Sequence, residues 1–274
     1  AYLILTANWL VEDAAALSHD RSYHGDLTPI APVLEYLTLL ETHLISFLRG
    51  DLTGNQIIRM GGADLWQRYN SDNTIKSIYA DAVAKAAAHY IPDRRVLEIG
   101  GGTGATTVRL RDALQDADCF TFTDVKPYFI DQIIDRLPHL TIDRVLLDLN
   151  DLPAFVIRQP YDVIFATNAL HTAADLQASL NWIADRLAPD GVLIMGEGSP
   201  YSVYSAWPLD ILFALFEGWW KVNLSSARPR PGFLLPDQWR GFLARAGFTL
   251  VESRIWSDAR RCFGGVYIAQ KDQA

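Results

Sequence analysis

The sequence predicts an α/β fold built on a doubly wound, mostly parallel sheet. Three observations predict it: short β-branched runs recur from Arg95 onward, helical segments separate them, and five of the runs are almost continuously apolar. Strands of a parallel sheet have this composition because helices cover both faces of the sheet. The last two runs are separated by a short turn and favour a terminal hairpin, so the last strand is expected to be antiparallel.

The first third of the chain, residues 1–90, has helical periodicity and almost no strand signal. Apolar positions recur at spacings of three and four, namely Leu34, Leu37, Leu40, His43, Leu44 and Phe47. A second helical run, Ile75 to His89, stops before Pro92, because proline and its predecessor disfavour continuation of a helix. We therefore predict a helical cap over residues 1–90 and an α/β core over residues 91–274.

Seven strands are predicted in the core. They are RRVLEIG, CFTFTD, RVLLDL, YDVIFATN, GVLIMGEG, TLVESRIW and GGVYIAQK, beginning at residues 94, 119, 144, 161, 191, 249 and 264. The segment between the fifth and sixth strands, about residues 199–248, is longer than one crossover helix requires. It contains the aromatic run from Phe213 to Trp220 and the proline-rich stretch RPRPGFLLP. We predict that this segment is an insertion facing the substrate.

Charge and cysteine content argue against several classes of protein. The 24 Lys and Arg residues against 32 Asp and Glu give a formal net charge of −8, which lacks the electrostatic footprint of a nucleic-acid-binding protein. Cys119 and Cys262 match no metal-ligand spacing and are too few for a disulfide framework. A cytoplasmic protein without a structural metal is expected.

No membrane-spanning segment or secretory signal is predicted. The longest uninterrupted apolar run, Ile211 to Phe216, is far shorter than the roughly 20 residues that cross a bilayer. The chain opens AYLILTANW, without an initiator Met or a basic region before a cleavage site. It is therefore expected to be a fragment of something longer.

The glycine-rich stretch after the first strand is the most informative motif. Val96 to Gly104 reads VLEIGGGTG, a strand that runs directly into glycines and then into a helix near Ala105. Glycines allow a ligand to approach the backbone closely. Asp124 ends the next strand, where a carboxylate can accept hydrogen bonds from both hydroxyls of a ribose. The pair predicts an adenosine-type ligand at the carboxyl ends of the strands.

Two kinds of adenosine cofactor fit this loop. Gly100, Gly102 and Ala105 satisfy the loose dinucleotide fingerprint, so a nicotinamide enzyme is one alternative. However, Glu98 and Gly104 extend the motif to E-x-G-x-G-x-G, which resembles motif I of the class I S-adenosylmethionine-dependent methyltransferases. In that family the loop wraps the methionine and ribose portions of the cofactor, with S-adenosylhomocysteine as the product.

This resemblance implies further cofactor-binding residues. Asp148 stands where such enzymes often place a carboxylate near the adenine amino group, and Leu149 lies beside it. Each acidic residue also has a structural interpretation. Glu98 could cap nearby amides, and Asp148 could be a helix N-cap or a turn residue.

A proton acceptor is expected near the methyl donor, because transfer of a methyl group to a protonated acceptor requires removal of that proton. His171, three residues after Asn168, and Glu197 lie at the carboxyl ends of adjacent predicted strands. A glutamate beside one imidazole nitrogen would fix the tautomer and raise the basicity of the other nitrogen. Alternatively, His171 caps the helix after it and Glu197 is a solvated strand end.

The other five histidines lack a partner pattern and are interpreted as structural. They are His19, His24, His43, His89 and His139.

The whole pattern resembles the carbon-methylating methyltransferase domains of modular polyketide synthases. The matching stretches are RVLEIGGGTGATT, FTDVKPYF, YDVIFATNALH, LAPDGVLIMGEG, FEGWW and LLPDQWRGFLARAGF. The resemblance implies a class I Rossmann-like core with a helical lid. It also implies C-methylation of the α-carbon of a β-ketoacyl group, held by phosphopantetheine on an acyl carrier protein among neighbouring synthase domains.

The resemblance also assigns residues to roles. It implies a catalytic pair at His171 and Glu197, a cofactor site that includes Asn168, and closure of the lid over the cofactor by Tyr69 and Asn70. No metal, nucleic acid or membrane is implied.

Trp219 and Trp220 could form an apolar wall for the acyl chain or simply pack in the core. Arg228 and Arg230 could meet the phosphate of the tether or an acidic carrier surface, or could lie on a solvated face. O-methylation of a carrier-bound β-hydroxyacyl or enol group and a non-catalytic scaffold role stay open as alternatives.

Overall fold

The computed structural model describes residue 28 and residues 31–71, 74–153, 160–200, 210–257 and 262–272. Several sequence-based expectations therefore lie outside the described residues. They are the structural role of His19 and His24, the first part of the predicted cap, and residues 201–209 of the predicted insertion.

Among the described residues, four α-helices precede the sheet. They are α1 (Ala31–Arg49), α2 (Gly54–Met60), α3 (Gly62–Ser71) and α4 (Thr74–Ala87). Helix α2 begins at a capping box in which Thr53 and Gln56 satisfy each other's backbone amides. Buried residues of α1 to α3 form one cluster with Leu212, Leu215, Trp219 and Phe233. The amino-terminal helices therefore share a hydrophobic core with the segment that follows the fifth strand.

The described strands form one seven-stranded sheet in the order β3-β2-β1-β4-β5-β7-β6. They are β1 (Arg95–Ile99), β2 (Cys119–Asp124), β3 (Asp143–Leu146), β4 (Tyr161–Thr167), β5 (Leu187–Gly198), β6 (Phe248–Ser257) and β7 (Cys262–Lys271). The pairs among β1 to β5 are parallel, and β7 is antiparallel to both β5 and β6. The predicted fold class and the antiparallel last strand are confirmed.

Seven more α-helices are described after β1, and those that pack on the sheet do so on both faces, together with α4. They are α5 (Ala105–Arg109), α6 (Arg111–Gln115), α7 (Pro127–Arg136), α8 (Leu176–Arg186), α9 (Asp210–Phe213), α10 (Glu217–Trp220) and α11 (Pro236–Arg245). One core cluster includes Leu180 of α8 and Trp239 of α11, and the other includes Val83 of α4 and Ile133 of α7. Burial on both faces explains why the strands are so apolar.

Two strand ends differ from the predicted ones by three residues or more. Strand β3 stops at Leu146, because the amide of Asn150 donates to the Asp148 carboxylate at 2.8 Å and closes a turn. Strand β5 begins at Leu187, since Leu187 still pairs with Tyr161 across an irregularity in the register.

Helix α4 packs closely against the carboxyl end of β5 through glycines. A Cβ added at Gly196 would lie 2.5 Å from Val83, and one added at Gly264 would lie 2.8 Å from the ring of Tyr79. The Tyr79 hydroxyl donates to the carbonyl of Phe263 at 2.5 Å. This contact anchors α4 directly behind the end of the strand that carries Glu197.

Among the described residues, no helix combines the length and the apolar character needed to cross a bilayer.

Candidate active site

The candidate site lies where the sheet reverses its direction of winding, between β1 and β4. The chain adds β2 and β3 on one side of β1 and β4 and β5 on the other. In open α/β sheets, ligands bind in the crevice outside the carboxyl ends of the strands at such a point. The loops after β1, β2, β4 and β5 all begin at this edge, because they follow the carboxyl ends of the strands.

The glycine loop after β1 has a backbone that residues with a Cβ rarely adopt. Gly100, Gly102 and Gly104 have φ angles of +64°, +55° and +74°. A Cβ at Gly101 would lie 2.1 Å from the Phe122 ring and one at Gly104 would lie 2.5 Å from Ile133, whereas one at Gly102 would meet nothing closer than 4.0 Å. The loop is packed against the protein on one side and open at Gly102, which suits a ligand lying against its backbone.

Asp124 ties this loop to the end of β2. Its two carboxylate oxygens accept hydrogen bonds from the amides of Gly102 at 2.9 Å and Lys126 at 2.8 Å. Burial raises the pKa of Asp124, and these two backbone hydrogen bonds oppose the increase. The structure therefore brings together the glycine loop and the carboxylate predicted to bind ribose.

Glu98 lies beneath the loop rather than on its surface. Its side chain is 1% exposed and accepts a hydrogen bond from the Thr107 hydroxyl at 2.5 Å. Burial raises the pKa of Glu98 to about 8, and the Thr107 hydrogen bond lowers it in part. Glu98 holds the loop to helix α5 and makes no amide cap of the kind considered from the sequence.

Asp148 and Leu149 follow the end of β3. Asp148 is partly exposed and forms the turn with Asn150, which matches the turn role considered for it. Leu149 is partly buried against the core, and its carbonyl accepts a hydrogen bond from Ser179.

Asn168 joins the ends of β4 and β5. It adopts a positive φ of 50°, its amide donates to the carbonyl of Gly196 at 2.8 Å, and its side-chain oxygen accepts from the Gly198 amide at 3.1 Å. Asparagine tolerates this left-handed conformation better than most residues. Asn168 therefore holds Gly196 and Gly198, the residues on either side of Glu197.

His171 and Glu197 form a buried pair. The Nδ1 atom of His171 lies 2.7 Å from Oε2 of Glu197, and the two residues are 3% and 0% exposed. The other carboxylate oxygen accepts hydrogen bonds from the amides of Ala169 at 3.2 Å and Leu170 at 2.9 Å. Glu197 is thus buried rather than solvated, and it holds both the imidazole and the turn that carries it.

The histidine turn is next to the glycine loop. Residues Leu170–Thr172 form a 3₁₀ turn directly after β4. A Cβ added at Gly100 would lie 2.6 Å from the Cβ of Ala169. Ala169, which lies against Gly100, is two residues before His171 in the chain. The histidine turn is therefore held close to the glycine loop.

Three aromatic rings enclose the imidazole. The centroid of the His171 ring lies 4.3 Å from that of Phe233, 6.0 Å from Trp219 and 6.4 Å from Phe213. Phe213 and Trp219 stack on each other at 5.4 Å. Such surroundings exclude water around the base.

The two tryptophans of FEGWW differ in environment. Trp219 is 7% exposed and lies within this aromatic group, whereas Trp220 is 37% exposed and donates to the Ala214 carbonyl. The structure therefore brings Trp219, but not Trp220, to the ring of His171.

The prediction that Arg228 and Arg230 could lie on a solvated face is wrong. Arg228 is 2% exposed and Arg230 is 5% exposed. The Arg228 guanidinium donates to the carbonyls of His171 at 2.5 Å and Ala173 at 2.6 Å. These acceptors lie 57 and 55 residues earlier in the chain, respectively, so no local pattern around Arg228 indicates them.

Tyr69 and Asn70 lie on α3, in the amino-terminal helices. Tyr69 is buried and packs against Tyr36 at 5.3 Å and against Phe213 at 6.4 Å. Asn70 donates from its side chain to the Trp66 carbonyl at 2.8 Å. Phe213 therefore connects Tyr69 with the rings around His171.

Sequence reasoning did not single out Phe213, Phe233, Thr107 or Tyr79. Phe213 begins the aromatic run, and Phe233 lies in the proline-rich stretch RPRPGFLLP, so both segments were noted for their composition. The signal that could have identified Phe233 is an aromatic residue directly after a glycine. Thr107 is 0% exposed and Tyr79 is 4% exposed, each within a helical segment. Nothing in those segments distinguishes them from ordinary core residues.

The described part of the chain contains no group of three or more His, Cys, Asp or Glu side chains that could bind a metal ion.

Comparison with protein families and curated proteins gives a consistent result. Residues 97–193 match the model described as a methyltransferase domain. The highly reducing polyketide synthase easB of Emericella nidulans is 29% identical over 229 residues, which cover 80% of this chain and 9% of that protein. The reducing polyketide synthase ppsB of Aspergillus oryzae is 27% identical over 255 residues, or 88% and 10%. This chain spans about a tenth of the length of these relatives.

Solved structures show the same similarity. The CurJ carbon methyltransferase superposes with a TM-score of 0.72 at 28% identity, covering 90% of this chain and 69% of that one. The trans-methyltransferase CalH, solved as a complex with SAH, gives a TM-score of 0.72 at 25% identity and covers 95% and 73%. The CMeT domain of the citrinin polyketide synthase gives a TM-score of 0.75 at 21% identity, covering 95% and 69%, which is evidence of a shared fold.

Proposed function

We propose that this chain, which contains a methyltransferase domain of the S-adenosylmethionine-dependent class, methylates the α-carbon of a β-ketoacyl thioester on an acyl carrier protein. The observation that carries this proposal is the buried His171–Glu197 pair at 2.7 Å, placed beside the glycine loop. A carbon between a ketone and a thioester is acidic enough for an imidazole base, because its enolate spreads charge over two oxygens.

The residues around the glycine loop fit S-adenosylmethionine. The open face at Gly102 would receive the methionine and ribose portions, and the Asp124 carboxylate would accept hydrogen bonds from the ribose hydroxyls. Asp148 and Leu149 would lie near the adenine. When bound, this cofactor supplies an electrophilic methyl group on a sulfonium. The fit is supported by CalH, which was solved with SAH.

The dyad would remove the proton from the acceptor. With Nδ1–H donating to Glu197, the Nε2 atom of His171 is left as the basic nitrogen. It would take the proton from the α-carbon, and the buried carboxylate would stabilise the imidazolium that forms. The aromatic rings of Phe213, Trp219 and Phe233 would exclude water, so that the enolate is methylated rather than protonated again.

The domain organisation is part of the proposal. Residues 1–90 would form a lid over the cofactor, and Tyr69 would be its closing residue. Residues 91–274 would be the catalytic core, with a substrate-facing insertion at about 199–248. Contacts of Phe213 and Trp219 with His171 support this role for the insertion.

The partners and setting follow from the relatives. Polyketide synthases carry their substrates through many domains, and this chain spans about a tenth of the matched relatives. We infer an acyl carrier protein and neighbouring synthase domains as partners, in the cytoplasm. The name of the CurJ carbon methyltransferase favours carbon over oxygen as the acceptor.

Mass spectrometry of carrier-bound substrates tests the proposal. The chain is incubated with [methyl-¹³C]S-adenosylmethionine and matched β-ketoacyl and β-hydroxyacyl carriers. Label on the α-carbon of the ketone is expected. Label on the hydroxyl alone would identify an O-methyltransferase, and cofactor binding without transfer to any carrier would favour a scaffold.

Variants of the dyad test its role. His171→Ala and Glu197→Gln are each expected to slow transfer by on the order of 10²-fold or more, with cofactor affinity nearly unchanged. Glu252→Gln, on an exposed part of β6, is the matched control for the carboxylate. Transfer at the wild-type rate in His171→Ala would remove the imidazole from the mechanism.

A further inference from the structure

Arg228 is a buried cation attached to the backbone of the histidine turn. Its guanidinium donates to the carbonyl of His171 at 2.5 Å and to that of Ala173 at 2.6 Å. Both hydrogen bonds are short, and both join the guanidinium to the segment that carries the imidazole. Arginine is almost never fully buried unless its charge has a partner.

Glu197 holds the same turn as Arg228, through the amides of Ala169 and Leu170. Burial lowers the pKa of Arg228 to about 10, while the negative charge of Glu197 acts in the opposite direction. The guanidinium is therefore a cation at neutral pH. Its Nε–H is buried without a hydrogen-bond partner among the described residues, so hydrogen bonding alone does not explain an arginine at this position.

Two further groups that interact with Glu197 carry no charge at neutral pH. They are the phenols of Tyr79 and Tyr267, and burial raises the pKa of both. Arg228 is thus a buried cation that can balance this carboxylate, and a protonated His171 would be another.

These two cations have different consequences for catalysis. If an imidazolium balanced Glu197, His171 would already hold a proton and could not act as a base. With Arg228 present, the carboxylate is balanced while the imidazole stays neutral. We propose that Arg228 is a positioning residue that holds the histidine turn and neutralises Glu197, so that His171 rests as a neutral base. This role rests on the proposed function, in which His171 is the base.

Nitrogen NMR of the histidine-labelled full chain tests the charge state at neutral pH. The His171 signal is assigned by its loss in His171→Asn. We expect a neutral imidazole in the wild type and in Arg228→Lys, and an imidazolium in Arg228→Gln. Arg111→Gln, an exposed arginine on α6, is the control. An imidazolium in the wild type would overturn the proposal. This outcome is measured on the wild type alone, so it can be tested even if a variant fails to fold.

Methyl transfer by the same proteins separates this inference from the proposed function. Arg228→Gln is expected to lower kcat by about tenfold or more with KM for the cofactor unchanged, and Arg228→Lys to recover most of it. A low kcat with a neutral imidazole in Arg228→Gln would overturn the neutralising role. Absence of transfer in the wild type, with the expected NMR spectra, would instead overturn methyl transfer and leave the charge balance supported.

Discussion

Gly198 lies directly against the ring of Phe233: a Cβ added at Gly198 would be 2.9 Å from that ring. Phe233 in turn packs on the imidazole of His171, with centroids 4.3 Å apart. Gly198 is the residue after Glu197 at the end of β5. The absence of a side chain at this strand end therefore sets how closely the aromatic rings approach the base.

Gly198→Ala should push the Phe233 ring toward His171. We expect transfer to fall by roughly tenfold or more, because small displacements of a reacting group are costly, while cofactor affinity is retained. Adding Phe233→Leu should restore part of the rate by making room. Steady-state kinetics and calorimetry measure these two quantities.

Gly241→Ala is the control for that substitution. Gly241 lies inside α11, where an added Cβ would meet only the tip of Arg245 at 3.4 Å. It should stabilise the fold by about 0.5–1 kcal/mol without affecting transfer. A wild-type transfer rate in Gly198→Ala would show that the spacing between Phe233 and His171 does not matter.

Asp124→Asn should weaken cofactor binding. The substitution removes a charge and one of the two acceptors that hold the amides of Gly102 and Lys126. We expect a loss of about 1.5–3 kcal/mol in affinity for S-adenosylhomocysteine, the usual contribution of a hydrogen bond to a charged group. Calorimetry measures it. Asp112→Asn, on the exposed surface of α6, serves as the control, and equal affinities in the two variants would contradict the assignment.

The strands and the glycine loop could be predicted because their signals are local. Alternation between apolar runs and glycines in RVLEIGGGTG is visible within ten residues. The approach of His171 to Glu197 could also be predicted, since adjacent parallel strands end at the same edge of the sheet. Both predictions rest on general geometry rather than on particular side-chain contacts.

The burial of Arg228 and the position of Phe233 could not be predicted in this way. Arg228 binds the carbonyl of His171, 57 residues away, and Phe233 packs on Gly198. An arginine without a visible partner is ordinarily expected at the surface. Contacts between an insertion and distant strand ends depend on how the whole chain packs, which short motifs do not encode.

Glu98→Gln should stabilise the fold increasingly as the pH rises. Burial raises the pKa of Glu98 from its ordinary value of 4.5 to about 8. Between these values the folded chain holds a proton that the unfolded chain has released, so the wild type loses stability as the pH increases through this window. Glutamine keeps a hydrogen-bond acceptor for Thr107 and carries no charge. Urea unfolding at pH 5 and pH 8.5 measures the difference, and a variant no more stable at the higher pH would contradict it.

Trp219 and Trp220 offer a matched pair for separating the roles proposed for FEGWW. Trp219 stacks on Phe213 and lies 6.0 Å from His171, whereas Trp220 is 37% exposed. Trp219→Ala should cost about 3–5 kcal/mol of stability, as expected for a buried tryptophan. Trp219→Phe should retain most of that stability and lower transfer, because a smaller ring leaves space for water beside the base.

Trp220→Ala should cost less stability than Trp219→Ala, because Trp220 is 37% exposed and less of its side chain leaves water on folding. Its transfer rate should stay near that of the wild type. Urea unfolding gives the stabilities, and turnover on the β-ketoacyl carrier gives the rates. Similar losses at the two positions would mean that the wall of the acyl site extends to Trp220, and that exposure in the cofactor-free protein does not identify the residues that contact the substrate.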